Sequence, residues 1–189
     1  MNTEEKIIQA ATLLFKQQGY TKTTTISIAE KAGVSEVTVF RYFKTKENLF
    51  KRVVMDITSK AGIPSSGSFI TGDLEKDLLF IAYHALKYFI NNGKTIRMMM
   101  FETVNHPEIV SMISEIPFQN INLISEYMKR QDKAGKINCE NSYKCAEVFI
   151  SSLLGYGVGL TALKDKEPDE NEIKETAEFI VSALLKTLK

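Results

Sequence analysis

Tryptophan is absent from the 189 residues, cysteine and histidine occur twice each, and proline occurs four times. The two cysteines, Cys139 and Cys145, stand six residues apart. That spacing fits no metal-ligand or redox motif. They read as small thiols in a reducing compartment. The two histidines, His84 and His106, read as packing or surface residues. No Ser/His/Asp set, Cys/His set, Gly-rich phosphate loop or metal-spaced cluster accompanies them. Enzymes built on those constellations are therefore excluded, and neither a metal nor a cofactor is implied. Asn2 to Lys6 is polar and runs straight into an amphipathic stretch, unlike a signal peptide. The longest apolar run, Val148 to Leu163, is broken by Ser151, Ser152 and three glycines, and it falls short of the ~20 residues a membrane span needs. A cytoplasmic protein with no membrane association is expected. No stretch alternates at period two for long enough to argue a strand, so the expectation is an all-α protein of about nine or ten helices.

What is present is ordinary in amount but uneven in placement. Hydrophobic residues make up 44% and charged residues 25% of a chain with net charge +1, as in a soluble globular protein. Residues 1–55 carry nine Lys/Arg against five Asp/Glu, while the remainder carries fifteen against eighteen. A basic N-terminal end suits nucleic acid.

The most informative stretch is TTTISIAEKAGVSEVTVFRYFKTK, Thr23 to Lys46. Thr24 can cap a short helix, because its hydroxyl accepts a bond from a free first-turn N–H. Ile28, Ala29 and Ala32 form an apolar stripe, and Gly33 can stop the helix in the left-handed conformation. Ser35 caps a second helix from about Glu36 to Phe43. Two short helices about a Gly-containing turn form a helix-turn-helix. At about 100° per residue, Val39 and Phe43 point to the core, and Phe40 lies toward that side. Thr38, Arg41 and Tyr42 face outward, with Val37 at the edge. Thr and Arg can read base edges, and Tyr can bond phosphate. Lys46, opening the next helix, is placed to neutralise phosphate.

The pieces AATLLFKQQGY (10–20), IAEKAGVS (28–35) and TVFRYFKTKENLF (38–50) resemble the DNA-binding domain of TetR-family transcriptional regulators. The resemblance runs from about Thr3 to Lys51. It implies a homodimeric, mostly repressing regulator whose C-terminal domain binds a small molecule and releases a palindromic double-stranded DNA operator. Activation, or control by a protein partner instead of a small molecule, is the alternative. The expected DNA-binding residues are Thr24, Thr25, Ser35, Glu36, Val37, Thr38, Phe40, Arg41, Tyr42 and Lys46. The sequence departs from the family at Ile26, where many members carry Arg, and at Phe40, where most carry Tyr. Glu36 is also less favourable near phosphate than the Lys often found there.

The expected domains are a helix-turn-helix domain over 1–48 and a helical ligand-binding and dimerisation domain over 49–189. A Gly-, Ser- and Pro-rich break follows at 61–72. Helices are expected over about 73–91, closed by Asn92–Gly93, and over 94–105. Another starts at Pro107, restarts or kinks at Pro117, and ends at Gly135. Two more are expected, over about 142–164 and from Asp169 to the end. The last two resemble the pair that family members use to dimerise. Gly155, Gly157 and Gly159, with Ile180 and Leu184, are the interface candidates, since small residues let helices approach closely. A ligand pocket would draw on apolar and aromatic side chains. The candidates are His84, Tyr88, Met98, Phe101, Phe118, Asn122, Tyr127 and Phe149.

Overall fold

In a computed structural model of the chain, residues 1–59, 70–105, 107, 110–164 and 167–188 are described. Among them are eight α-helices and no strand. They are α1 (Thr3–Lys22), α2 (Thr25–Ala32), α3 (Glu36–Phe43), α4 (Lys46–Ser59), α5 (Leu74–Asn105), α6 (Val110–Lys133), α7 (Ser142–Leu154) and α8 (Glu170–Thr187). The chain forms two compact units. The first comprises Met1–Lys60 and Arg97–Ser114, the second Ala61–Ile96 and Glu115–Lys189.

The first unit is built on α1. Asn2 caps it reciprocally with Glu5, and Ile7, Ala11 and Phe15 are fully buried. Gly19, at φ 80° and ψ 171°, breaks its helical path before the last turn. The Phe15, Tyr20 and Phe50 rings meet with centroids 4.8–5.8 Å apart, joining α1 to α4. Leu49, Phe50 and Val53 are buried, so α4 packs with the first unit. The compact unit therefore extends past the boundary expected at residue 48.

In the second unit Leu74, Leu78, Ile81 and Leu86 of α5 pack with Ile121, Ile124 and Met128 of α6, Phe149 and Leu153 of α7, and Ile173, Val181 and Leu184 of α8. A buried carboxylate fixes its entry. Asp77, 1% exposed, accepts bonds from the Thr71 N–H and hydroxyl, the Gly72 N–H and the Tyr127 hydroxyl. Burial alone pushes this carboxyl up. The four donors outweigh it and hold Asp77 below the usual carboxylate range. Burial and the adjacent Asp77 push the Tyr127 phenol up.

Among the described residues eight helices stand where nine or ten were expected, because two expected breaks are not breaks. α5 runs through Asn92–Gly93. Gly93 is buried with Thr95, and Asn92 donates back to the Tyr88 carbonyl at 3.0 Å instead of capping an end. Packing thus overrides a local stop signal. Likewise α6 contains Pro117 in its interior. The helical end expected at Lys60, most of the 61–72 break, and His106 fall outside the described residues. The expected helix over 142–164 is helical throughout but changes type. α7 passes into a π-helical turn at Gly155–Gly159 and a 3-10 turn at Leu160–Leu163. Ser142–Leu163 is, by length and composition, long and apolar enough to cross a membrane, contrary to expectation. Its Ala146, Phe149, Ile150 and Leu153 belong to the core of the second unit.

Both cysteines are free thiols, Cys139 buried and Cys145 half-buried. Their sulfurs lie 3.4 Å apart, because the turn after Gly135 folds the loop back onto α7. Burial first, and the neighbouring thiol second, push the Cys145 thiol up to about 11.

Candidate nucleic-acid interface

Local chemistry sets the helix-turn-helix. The Thr24 hydroxyl accepts from the Ser27 N–H at 3.1 Å, and the Ser27 hydroxyl accepts from the Thr24 N–H. Gly33 takes φ 68°, ψ 37° and ends α2, with its N–H on the Ala29 and Glu30 carbonyls. Ser35 then caps α3 through the Thr38 N–H at 3.2 Å. Lys44, at φ 67°, closes α3 with its N–H on the Phe40 carbonyl, and Thr45 caps α4 through the Asn48 N–H. Two eight-residue helices are thereby held between three caps within twenty-two residues.

The outward surface of α3 is amphipathic in an unusual sense: apolar and cationic groups alternate. Val37 is 77%, Phe40 62% and Tyr42 43% exposed. The Arg41 guanidinium lies 5.4 Å from the Tyr42 ring centroid, and the Lys44 ammonium 6.0 Å from that of Phe40. The Thr38 hydroxyl lies 2.9 Å from that of Ser35. Phe40 is the correction here. It was expected toward the core, yet it lines a groove of about 270 Å³ with Thr25, Glu36, Val37, Val39, Lys44 and Thr45. Val39 and Phe43 are the buried residues of α3, and Lys44 and Thr45 border the groove beside Phe40.

Several expected contacts have partners inside the protein. Glu36 accepts the Thr25 hydroxyl at 2.6 Å, tying α3 to α2. Lys46 donates to the Tyr20 and Thr23 carbonyls, both at 3.1 Å, with its ammonium 4.2 Å from the Tyr20 ring centroid. Beside it, Glu47 accepts the Tyr20 hydroxyl at 3.0 Å. Its own backbone N–H and the Thr45 hydroxyl chiefly hold its carboxyl below the usual range. Lys44 was not among the expected residues. Its signal was a second lysine in the Lys–Thr–Lys run, at the open end of α3.

This arrangement coincides with a known one. Residues 7–53 match the family description of bacterial regulatory proteins of the tetR family, and residues 78–187 match the C-terminal domain of AefR-like transcriptional repressors. The HTH-type transcriptional regulator YvkB of Bacillus subtilis (strain 168) is 31% identical over 185 residues, covering 96% of this chain and 97% of that protein. The chain belongs to the TetR family. It is a helix-turn-helix, DNA-binding transcriptional regulator and not an enzyme. The HTH-type transcriptional regulator QacR of Staphylococcus aureus (strain Mu50) is 41% identical over 54 residues, 29% of each chain. Among solved structures, the flavonoid-responsive regulator FrrA superposes with a TM-score of 0.80 at 24% identity, covering 99% of this chain and 97% of that one. The fatty acid degradation regulator FadR from Bacillus halodurans gives 0.80 at 19%, covering 100% and 97%.

Other residues expected of a TetR-family regulator fall as follows. Met98 and Phe101 belong to the first unit and the other six ligand candidates to the second. Tyr127 and Phe149 are buried, Tyr88 and Met98 half-buried, and His84, Phe101, Phe118 and Asn122 exposed. His84 stacks on Phe80 at 4.1 Å, with its Nδ1 2.9 Å from the Phe80 carbonyl. Of the interface candidates, Gly157 turns inward. A Cβ there would lie 2.6 Å from the Phe89 Cβ, so its small size serves packing within the second unit. Gly155 and Gly159 face open space. With Leu160, Phe179 and Ile180, Gly155 borders a depression of about 750 Å³, and Ile180 and Leu184 border another of about 320 Å³ with Val148.

Proposed function

We propose that this regulator is a cytoplasmic homodimeric repressor that binds a palindromic operator and leaves it when a small molecule binds its C-terminal domain. The outward surface of α3 carries the reading. Val37, Arg41 and Tyr42 project from a helix whose first turn is fixed by Ser35 and Thr38, while Thr24, Thr25 and the α2 N-terminus supply phosphate contacts. Arg41 reads guanine or holds phosphate, and Val37 and Phe40 meet thymine methyls or sugar. Lys46 acts by holding the corner before α2, with one N–H left for phosphate. Homodimerisation is supported by the exposed apolar strip on α7 and α8, where Phe179 is 74% and Val148 55% exposed. Two heads then meet two half-sites. Effector binding acts by favouring a dimer arrangement in which the heads miss the operator.

The test is selection of genomic DNA fragments by the purified protein, including the DNA upstream of its own gene, followed by titration at two salt concentrations. A duplex with two inverted half-sites, bound against random competitor, is the expected result. Arg41→Ala should weaken that duplex by about ten- to a hundredfold without lowering the melting temperature. Absence of any preferred duplex, or an unchanged Arg41→Ala affinity, overturns the reading.

A further inference from the structure

The reading head is completed by a residue far outside it in sequence. Gly19 leaves helical geometry, so the Tyr20 N–H is turned out of the α1 ladder. It is met by Glu102 Oε1 at 2.9 Å, from a residue 82 positions away on α5. The Glu102 side chain is buried, with 5% of the residue exposed. Its other oxygen lies 3.5 Å from the Thr21 hydroxyl. A Cβ at position 19 would stand 2.9 Å from Oε1, so the missing side chain of Gly19 and the carboxylate share one space. The carbonyl side of the same corner is held by Lys46, on Tyr20 and Thr23. Thr23, fully buried, donates its hydroxyl to the Gly19 carbonyl at 2.7 Å. The next residue, Thr24, is the cap of α2.

From this we infer that Glu102 is a positioning residue for DNA recognition. It touches no DNA. Its carboxylate satisfies the N–H exposed by the Gly19 break, and so fixes the corner from which α2, and through Glu36 and Thr25 also α3, is hung. Matching of the DNA-binding domain ends at residue 53, so this assigns to the head a functional residue from the second half of the chain. A buried carboxylate with no acceptor role would be costly. Here it accepts the N–H that the Gly19 break turns out of the α1 ladder. The inference rests on DNA reading by α3, and not on repression or on an effector.

The experiment uses the full chain, with Glu102→Ala, Glu102→Asp and Glu102→Gln, and reads affinity for the selected duplex, affinity for a scrambled duplex, and hydrogen exchange of the Tyr20 amide. Gln keeps an acceptor oxygen at the same reach, so it should retain near wild-type specific affinity and slow Tyr20 exchange. Asp, one methylene shorter, and Ala should each lose about tenfold or more on the selected duplex, with scrambled binding unchanged and Tyr20 exchange accelerated. Asp keeps the charge, so it serves where Ala does not fold. Equal losses in Gln and Asp, or wild-type affinity in Asp and Ala, overturn the assignment. The Tyr20 amide reports on the contact without any operator: unaltered exchange in Asp refutes the contact even where no duplex is selected.

Discussion

Two of the surfaces on which this chain exposes hydrophobic side chains are of different kinds. On α3 and its C-cap, Val37, Phe40 and Tyr42 are interspersed with Arg41 and Lys44, and the Phe40 and Tyr42 rings each have a cation beside them. On α7, the 3-10 turn that follows it and α8, Val148, Leu160 and Phe179 form a strip whose polar neighbours include Ser152, Thr176 and Glu175, none of them positively charged. The first suits a hydrated polyanion, where apolar contact and charge neutralisation must coexist. The second suits a dry, self-complementary contact. Exposure of hydrophobic area alone does not name a partner; the charges interleaved with it do.

The sharpest way to break this contrast is Phe179→Asp. If the strip joins two copies, the variant should sediment as a monomer and lose about a hundredfold or more in operator affinity, because two linked heads bind far more tightly than one. Wild-type assembly in Phe179→Asp would remove the distinction drawn here. Asp77→Asn should act on the second unit instead. It places an NH₂ among four donors and should cost about 2–3 kcal/mol in urea unfolding. The Asp77 carboxyl is held below its unfolded value, so its contribution is present above about pH 4 and is lost as pH falls through the lower folded value. The Asn variant should lack that acid dependence.

A smaller contrast separates two glycines two residues apart. Gly157→Ala should destabilise by about 1–3 kcal/mol, since the added methyl meets the Phe89 Cβ. Gly155→Ala meets no protein atom within its own chain and should be neutral or stabilising by up to about 1 kcal/mol in thermal melts, unless the second copy needs that space. The smallest expected effect is at Cys145. With its thiol pushed up to about 11, alkylation by iodoacetamide should be slow at neutral pH and rise steadily toward that value. Because the folded state keeps the proton that the unfolded chain loses above about pH 8.5, stability should fall slightly with rising pH between the two values.

The elements that could be read in advance are those written in adjacent residues. Thr24 and Ser35 cap the helices expected of them, Thr45, Asn141 and Asp169 cap theirs in the same way, and Gly33 and Gly135 take positive φ at helix ends. Each rests on a bond spanning two to five residues. Where the outcome depends on distant packing, local signals mislead. Asn92–Gly93 has the chemistry of a stop but is buried in the middle of α5. Phe40 sits on the wheel near the core, yet the wheel holds no information on where α4 departs. Asp77 and Glu102 carry no local signal at all, because a carboxylate gives no sign of the N–H groups that will reach it from 5 or 82 residues away. Gly157 and Gly155 look alike in sequence and face opposite ways.

The discontinuity of the first unit has a consequence for how the chain is made. The segment carrying the helix-turn-helix leaves the ribosome early, but the Tyr20 N–H must wait 82 residues for its acceptor. At ordinary translation speeds that is about 4–16 s. During that interval the nascent head has its caps and aromatic cluster but not its last bond, so it emerges as an incomplete reader and becomes a finished one only after the end of α5 has been synthesised.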